Sequence, residues 1–208
     1  SQDVQGEVYD YPEEFFKERV HTIRRPKPDD FQIKEAAELI KKSKKPIVIA
    51  GGGVFYSDAT DELSDFAKKH NIPVTQTVMG YSSMKKDHTH YLGTIGGLGG
   101  RAANNLSKET DTAIAIGTKL ADFTTGSWAN FENPNFKLVS INAARFDANK
   151  HMAQAIVGDA KVSLTELAQV LGSWKADDSW HKKSRIELKN WETYVDKESG
   201  PTNQKLPS

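Results

Sequence analysis

"KKPIVIAGGGVFYSDATDELSDFAKKHNIPVTQT", residues 44–77, decides the fold. Its apolar run Pro46–Ala50 is five residues long without alternation, the pattern of a parallel strand buried on both faces. Gly51, Gly52 and Gly53 close it. A helix is expected next, with Asp58 as its cap and Leu63, Phe66, Ala67 and His70 on its inner face. A second apolar run, residues 72–77, completes a β-α-β unit. In such units the amides of the glycine turn form a seat for phosphate at a helix N-terminus. The dinucleotide fingerprint also requires a small residue at the helix start, where this chain has Tyr56. It requires a carboxylate at the end of the second strand, where this chain has Thr75-Gln76-Thr77. The stretch predicts the shape of a nucleotide unit without two of its contacts.

Further strands are expected at 111–116, ended by Gly117, at 136–141, and at 155–157. Upstream, Asp29 or Asp30 caps a helix with Ile33, Ala36, Ala37 and Ile40 on one face. Asp159 caps another, carrying Leu164, Leu167, Ala168 and Leu171, and Gly172 ends it. A charged helix over about 178–197 shows a narrow stripe of Leu188, Trp191 and Val195. Strands alternating with helices predict an α/β fold: an open, mainly parallel sheet with helices on both faces, Rossmann-like, of the DHS-like NAD/FAD-binding domain type. The chain divides into a polar arm or linker at 1–29, with one helical turn near 13–19, a Rossmann-like domain at 30–172, and a C-terminal helix and linker at 173–208.

Between 79 and 105 the sequence is glycine-rich and reads as irregular, a length of loop that serves function or an interface. A helix is expected at its end, over about 99–107. Gly97-Leu-Gly99-Gly-Arg-Ala102 matches G-x-G-x-x-A by letter, yet follows a loop rather than a strand and so lacks the motif's context. In Asp87-His88-Thr89-His90 the two histidines point to opposite sides of an extended segment, so this is read as a solvated loop and not a metal site. Ser57, Ser82 and Ser83 lack the setting of a nucleophile. With 28 basic and 28 acidic residues the 208-residue chain has no net charge and hence no field to collect nucleic acid or an anionic membrane. The absence of cysteine excludes a disulfide framework and a thiolate metal site, and is compatible with the cytoplasm, the expected compartment. No run reaches the length of a membrane span. The abrupt start without Met reads as a piece of something longer.

Several separated blocks point one way: Gly51–Gly53, Ile72-Pro-Val-Thr-Gln-Thr-Val-Met-Gly80, Leu92-Gly93 with Gly96 and Gly99, Ala103-Asn104, and Asp111 followed by Gly117, Lys119 and Asp122. In this order they resemble the middle domain of thiamine-diphosphate enzymes of the acetolactate synthase type. The fourth strand departs from the acidic "I-D-x-D" ending of many relatives, reading Val139-Ser-Ile-Asn142-Ala-Ala-Arg145-Phe-Asp147. With "TGSWANF" at 125–131 and the "DVQGE" and "YDYPEEFF" arm, it is similar to an inositol-catabolism branch that hydrolyses a carbon–carbon bond of a cyclic 1,2-diketone to 5-deoxyglucuronate. The resemblance implies that thiamine diphosphate and Mg²⁺ act in the full-length enzyme and are held outside this fragment. The activating glutamate belongs to a preceding pyrimidine-binding domain and the GDG…NN element to a following diphosphate-binding domain. Gly158-Asp159-Ala160 is not that element. No catalytic residue and no metal ligand is expected here, and the fragment alone should be inactive. Its partners would be those flanking domains and further copies of the chain, without nucleic acid or membrane. The glycine-rich loop would be an interface. If FAD, NAD or ADP binds, Gly51, Gly52, Gly53, Gly93, Gly96, Gly97, Gly99, Gly117, Lys119 and Asn142 are the groups expected to touch it. A nucleotide-binding regulatory domain is the competing reading.

Overall fold

The computed structural model describes residues 2–22 and 24–200; residues 201–208 of the expected C-terminal linker lie outside them. The elements run α1 (Gln2–Gln5), α2 (Asp30–Lys41), β1 (Pro46–Ala50), α3 (Gly52–Tyr56), α4 (Thr60–His70), β2 (Val74–Gln76), β3 (Tyr91–Thr94), α5 (Arg101–Glu109), β4 (Thr112–Ile116), α6 (Asp122–Thr125), β5 (Lys137–Asn142), α7 (Arg145–Ala148), β6 (Gln154–Val157), α8 (Ala160–Leu171) and α9 (Asp178–Glu198). All neighbouring strands are parallel, in the order β3-β2-β1-β4-β5-β6. The chain reverses direction across the sheet between β1 and β4. The carboxyl ends of that pair form the crevice where open α/β sheets bind ligands.

The central strands explain the expectation of a doubly covered sheet. Every residue of β1 and of β4 is buried. Helix α8 packs against α2 and α4, while α5 packs against α9. Asp29 is the cap of α2, accepting from the Phe31 and Gln32 amides, and Asp159 caps α8 in the same way. Trp180, near the start of α9, is buried and donates its indole N–H to the Pro46 carbonyl at 2.8 Å. Leu188 is buried further along the same face of the helix.

Three expectations need correction. The segment 79–105 is not irregular throughout: β3 lies within it and forms the sheet edge. Tyr91, Leu92 and Ile95 are buried. Asp58 does not cap a helix. The short α3 consumes the first helical turn after the glycines, and the chain must bend before α4. Asp58 makes that bend with φ 53°, in the left-handed region that Asp tolerates, and no side chain caps α4 at Ala59. The glycine motif at 97–102 does have a strand before it and a helix after it, since β3 ends at Thr94 and α5 starts at Arg101.

Candidate functional site

Outside the carboxyl ends of β1 and β4 lies a cavity of about 360 Å³. The glycine turn after β1 supplies one wall with Gly52, Gly53 and Tyr56. The segment after β2 supplies Thr77, Val78 and Met79. Ile95 and Leu98 come from the turn after β3, and Gly117, Thr118, Lys119, Ala121, Phe123 and Thr124 from the segment after β4. Tyr56, Val78, Met79, Leu98 and Phe123 make this an apolar surface, and Lys119 is its one cation among the lining residues.

The glycines are needed for backbone packing. The Gly51 amide donates to Ile116 O at 2.8 Å and the Gly53 amide to Gly117 O at 2.9 Å. A methyl on Gly53 would sit 2.5 Å from Gly117 Cα, and one on Gly52 would sit 3.0 Å from Met79 O. Gly117 itself has φ 60°. The turn is therefore locked onto the β4 turn, and two amides that could face a phosphate are bonded within the protein. The second motif behaves alike. Gly97 donates to Phe123 O at 2.8 Å, Gly99 to Gly96 O at 2.9 Å and Gly100 to Thr94 O at 2.9 Å. A methyl on Gly96 would collide with the Phe123 carbonyl, and one on Gly99 with that of Thr94.

Of the residues expected to touch a nucleotide, Gly52, Gly53, Gly117 and Lys119 line the cavity; Gly51, Gly96, Gly97 and Gly99 hold its walls. Gly93 lies within β3, its carbonyl accepting from Thr75 Oγ1 at 2.9 Å. Asn142 ends β5 and braces the β4 turn, donating to Thr118 O at 3.3 Å. Where the fingerprint has its ribose-binding carboxylate, Gln76 is buried and bonded at both ends of its amide. Its amide donates to Met84 O at 2.8 Å and its oxygen accepts from the Ser82 amide at 3.1 Å. The polar residue pattern does not reveal the apolar lining. The exposed hydrophobics Tyr56, Val78, Met79, Leu98 and Phe123 were the signal.

His90 also corrects the solvated-loop reading, because it is buried. Asn71 donates through Nδ2 to Ala176 O at 3.2 Å and to Asp178 Oδ1 at 2.9 Å, so its Oδ1 accepts from His90 Nε2 at 3.1 Å. The ring stacks on His181 of α9 with centroids 4.2 Å apart. Burial first, then the neighbouring His181, His88, Arg185 and Lys68, push its pKa down to about 4. It joins α9 to the sheet as a neutral group. Among the described residues no cluster of three or more His, Asp or Glu could hold a metal ion. Asp159 is spent as well: it accepts from the Lys161 and Val162 amides, from Ser57 Oγ at 2.7 Å, and from Arg25 at 3.3 Å.

Comparison with known proteins gives three findings. A family model described as "Thiamine pyrophosphate enzyme, central domain" matches residues 33–167. Curated relatives named 3D-(3,5/4)-trihydroxycyclohexane-1,2-dione hydrolase are similar across most of the chain. The protein from Clostridium perfringens strain 13 is 44% identical over 190 residues, which is 91% of this chain and 30% of the relative. That from Clostridium tetani is 42% identical, covering 92% and 30%. That from Clostridium botulinum strain Eklund 17B is 47% identical over 170 residues, covering 82% and 26%. The chain thus spans about 30% of the length of the curated relatives it matches. A crystal structure described as a thiamin diphosphate-dependent enzyme from Mycobacterium smegmatis aligns with TM-score 0.60 at 21% identity, over 77% of this chain and 31% of that one, a likeness of fold.

Proposed function

We propose a function from one premise: this chain belongs to the thiamine pyrophosphate enzyme family, as its central domain. It serves as the scaffold and interface domain of a longer, cytoplasmic, homo-oligomeric hydrolase that opens the ring of trihydroxycyclohexane-1,2-dione to 5-deoxyglucuronate. The opening adds one water across the bond between two carbonyl carbons and leaves an acid and an aldehyde. The observation that carries this reading is the 42–47% identity running through nearly the whole chain to relatives of that name.

Thiamine diphosphate and Mg²⁺ supply the carbon–carbon bond chemistry in this proposal, and the residues described do not fit either group. Asp159, in the position most like a GDG element, has both carboxylate oxygens bonded to its own helix cap, Ser57 and Arg25. The ligands of both are assigned to flanking domains of the longer protein. What this chain contributes is a rigid sheet and an apolar carboxyl edge against which other parts of the enzyme can exclude water.

The test uses the longer protein with thiamine diphosphate and Mg²⁺, following the diketone and 5-deoxyglucuronate by NMR. Turnover by the longer protein, with none by residues 1–208 alone, is expected. An inert longer protein that still binds thiamine diphosphate would overturn the substrate, and turnover by residues 1–208 would overturn the scaffold role.

A further inference from the structure

Strand β3 is an edge of the sheet, and side chains of α9 cover it. The His90 carbonyl accepts from the Val74 amide at the start of β2, so the carbonyls on either side of it, those of Thr89 and Tyr91, turn outward. His181 donates from Nε2 to Thr89 O at 3.0 Å, and Arg185 donates to Tyr91 O at 3.2 Å. An uncovered edge would offer these groups to a strand of another chain. The cover is joined to the sheet through His90. This residue is buried, its ring stacks on that of His181 with the planes 19° apart, and its amide donates to His88 Nδ1 at 3.2 Å. Three imidazoles thus meet where α9 begins.

The hydrogen bonds settle the state of His90. Asn71 spends its amide N–H groups on Ala176 O and Asp178 Oδ1 and turns its oxygen to the ring, so Nε2 of His90 carries the proton. Nδ1 then accepts from the Thr89 hydroxyl at 3.0 Å. A second proton would have to enter at Nδ1, against that hydroxyl. It would also set a charge against the His181 ring, with Arg185 of α9, Lys68 of α4 and His88 nearby. The carboxylates around the cluster are turned elsewhere: Asp178 is bonded to Asn71, and Asp87 and Asp65 act on His88.

We propose that this cluster is an acid-sensitive latch: a proton taken up by His90 releases residues 178–185 of α9 from the β3 edge while the rest of the sheet stays folded. Release uncovers the Thr89 and Tyr91 carbonyls. The later turns of α9 are held away from the histidines, by the burial of Leu188 and by Trp191 packed on Gly100. Trp180 holds the same turns as the latch, so the released state is rare at neutral pH and grows on acidification. With the His90 pKa at about 4 against an ordinary 6.5, the released state binds one more proton between those values. Its population relative to the latched state then rises about tenfold for each pH unit lost. The proposal does not rest on the hydrolase reading.

The chain has no cysteine, so one introduced thiol reports opening. Ser184→Cys places it on the buried face of α9, and Ala115→Cys places it in β4. Each is labelled with 4,4′-dithiodipyridine, which reacts in acid, and each rate is divided by that of the same chain unfolded in urea. From pH 6 to pH 5 the Ser184→Cys ratio is expected to rise about tenfold, with Ala115→Cys at least about tenfold better protected throughout. His90→Gln should flatten the rise. In the unsubstituted chain, NMR should show the His90 ring and the Trp180 indole N–H moving with one midpoint. Equal ratios at the two cysteines would make the acid response global unfolding and overturn the latch. So would a Ser184→Cys ratio indifferent to pH, a rise that persists in His90→Gln, or a His90 ring that titrates with Trp180 unmoved.

Discussion

At Gly53 a methyl group would meet Gly117 Cα, backbone against backbone, at 2.5 Å. Gly53→Ala is expected to lower stability by about 1–3 kcal/mol, the usual cost of forcing atoms into packed space. Gly93 is the control: φ 99° with nothing within 4 Å of an added methyl, so Gly93→Ala carries only the backbone cost, about 1–2 kcal/mol. Urea unfolding of both measures the difference, and intact stability in Gly53→Ala would show that the two turns are not locked together. His90 gives a pH prediction. Its folded pKa, about 4, lies below the ordinary 6.5, so between these values the unfolded chain binds the extra proton. Stability from this group is complete above about pH 6.5 and is lost as pH falls toward 4. His70, lowered chiefly by burial, adds in the same direction. Replacing His90 with Gln keeps an amide donor for Asn71 and should flatten the acid limb of a stability–pH curve. An unchanged limb would assign that dependence elsewhere. The cap at Asp159 was legible from its neighbours in sequence and that of α2 was narrowed to Asp29 or Asp30, whereas the burial of His90 was not legible, since Asn71 and His181 come from distant elements.

Among the elements, the buried strands β1 and β4 announce themselves, because a run with no polar face fits only a sheet covered on both sides. Strand β3 does not. It has four residues, two of them buried, and a glycine at φ 99°, so it offers neither a period nor a run. The G-x-G-x-x-A motif was then misread as following a loop for the same reason. The two glycine turns, once placed, spend their amides on backbone carbonyls, Gly51 and Gly53 on the end of β4, Gly97 on Phe123, and Gly99 and Gly100 on Gly96 and Thr94, and this sets an expectation for ligands. NAD, NADP, FAD and ADP should leave the melting temperature of the chain unmoved in a thermal-shift panel. A nucleotide held at a hundred times its Kd would add about 2.7 kcal/mol, and such a shift would show that the turns open to admit phosphate. Helix α9 is anchored near its start by Trp180, which is buried. Trp180→Ala should cost about 3–5 kcal/mol from lost burial. Trp180→Phe should cost less, keeping most of the burial and losing the bond to Pro46 O. Chemical denaturation orders the two, and equal losses would mean that the hydrogen bond carries the anchor.

For the whole molecule, membership of the thiamine pyrophosphate enzyme family and a sheet ordered β3-β2-β1-β4-β5-β6 agree with the layout expected from residues 44–77. No helix among the described residues is long and apolar enough to cross a membrane. The apolar carboxyl edge is the feature that the proposed hydrolase uses. Its loop hydrophobics were visible as residues but not as a surface, since Val78, Leu98 and Phe123 follow three different strands. The sequence by itself determined the fold class, most of the strands and helices, the cap at Asp159, and the blocks shared with the family. These depend on spacing within a few turns of chain, where period, capping and turn chemistry act locally. Only the tertiary structure decided what the glycines are for, that Gln76 is spent on the loop beside it, that His90 is buried, and that the crevice at the switch point is apolar. Each of those is fixed by atoms that the fold brings from other elements, and local pattern holds no record of them.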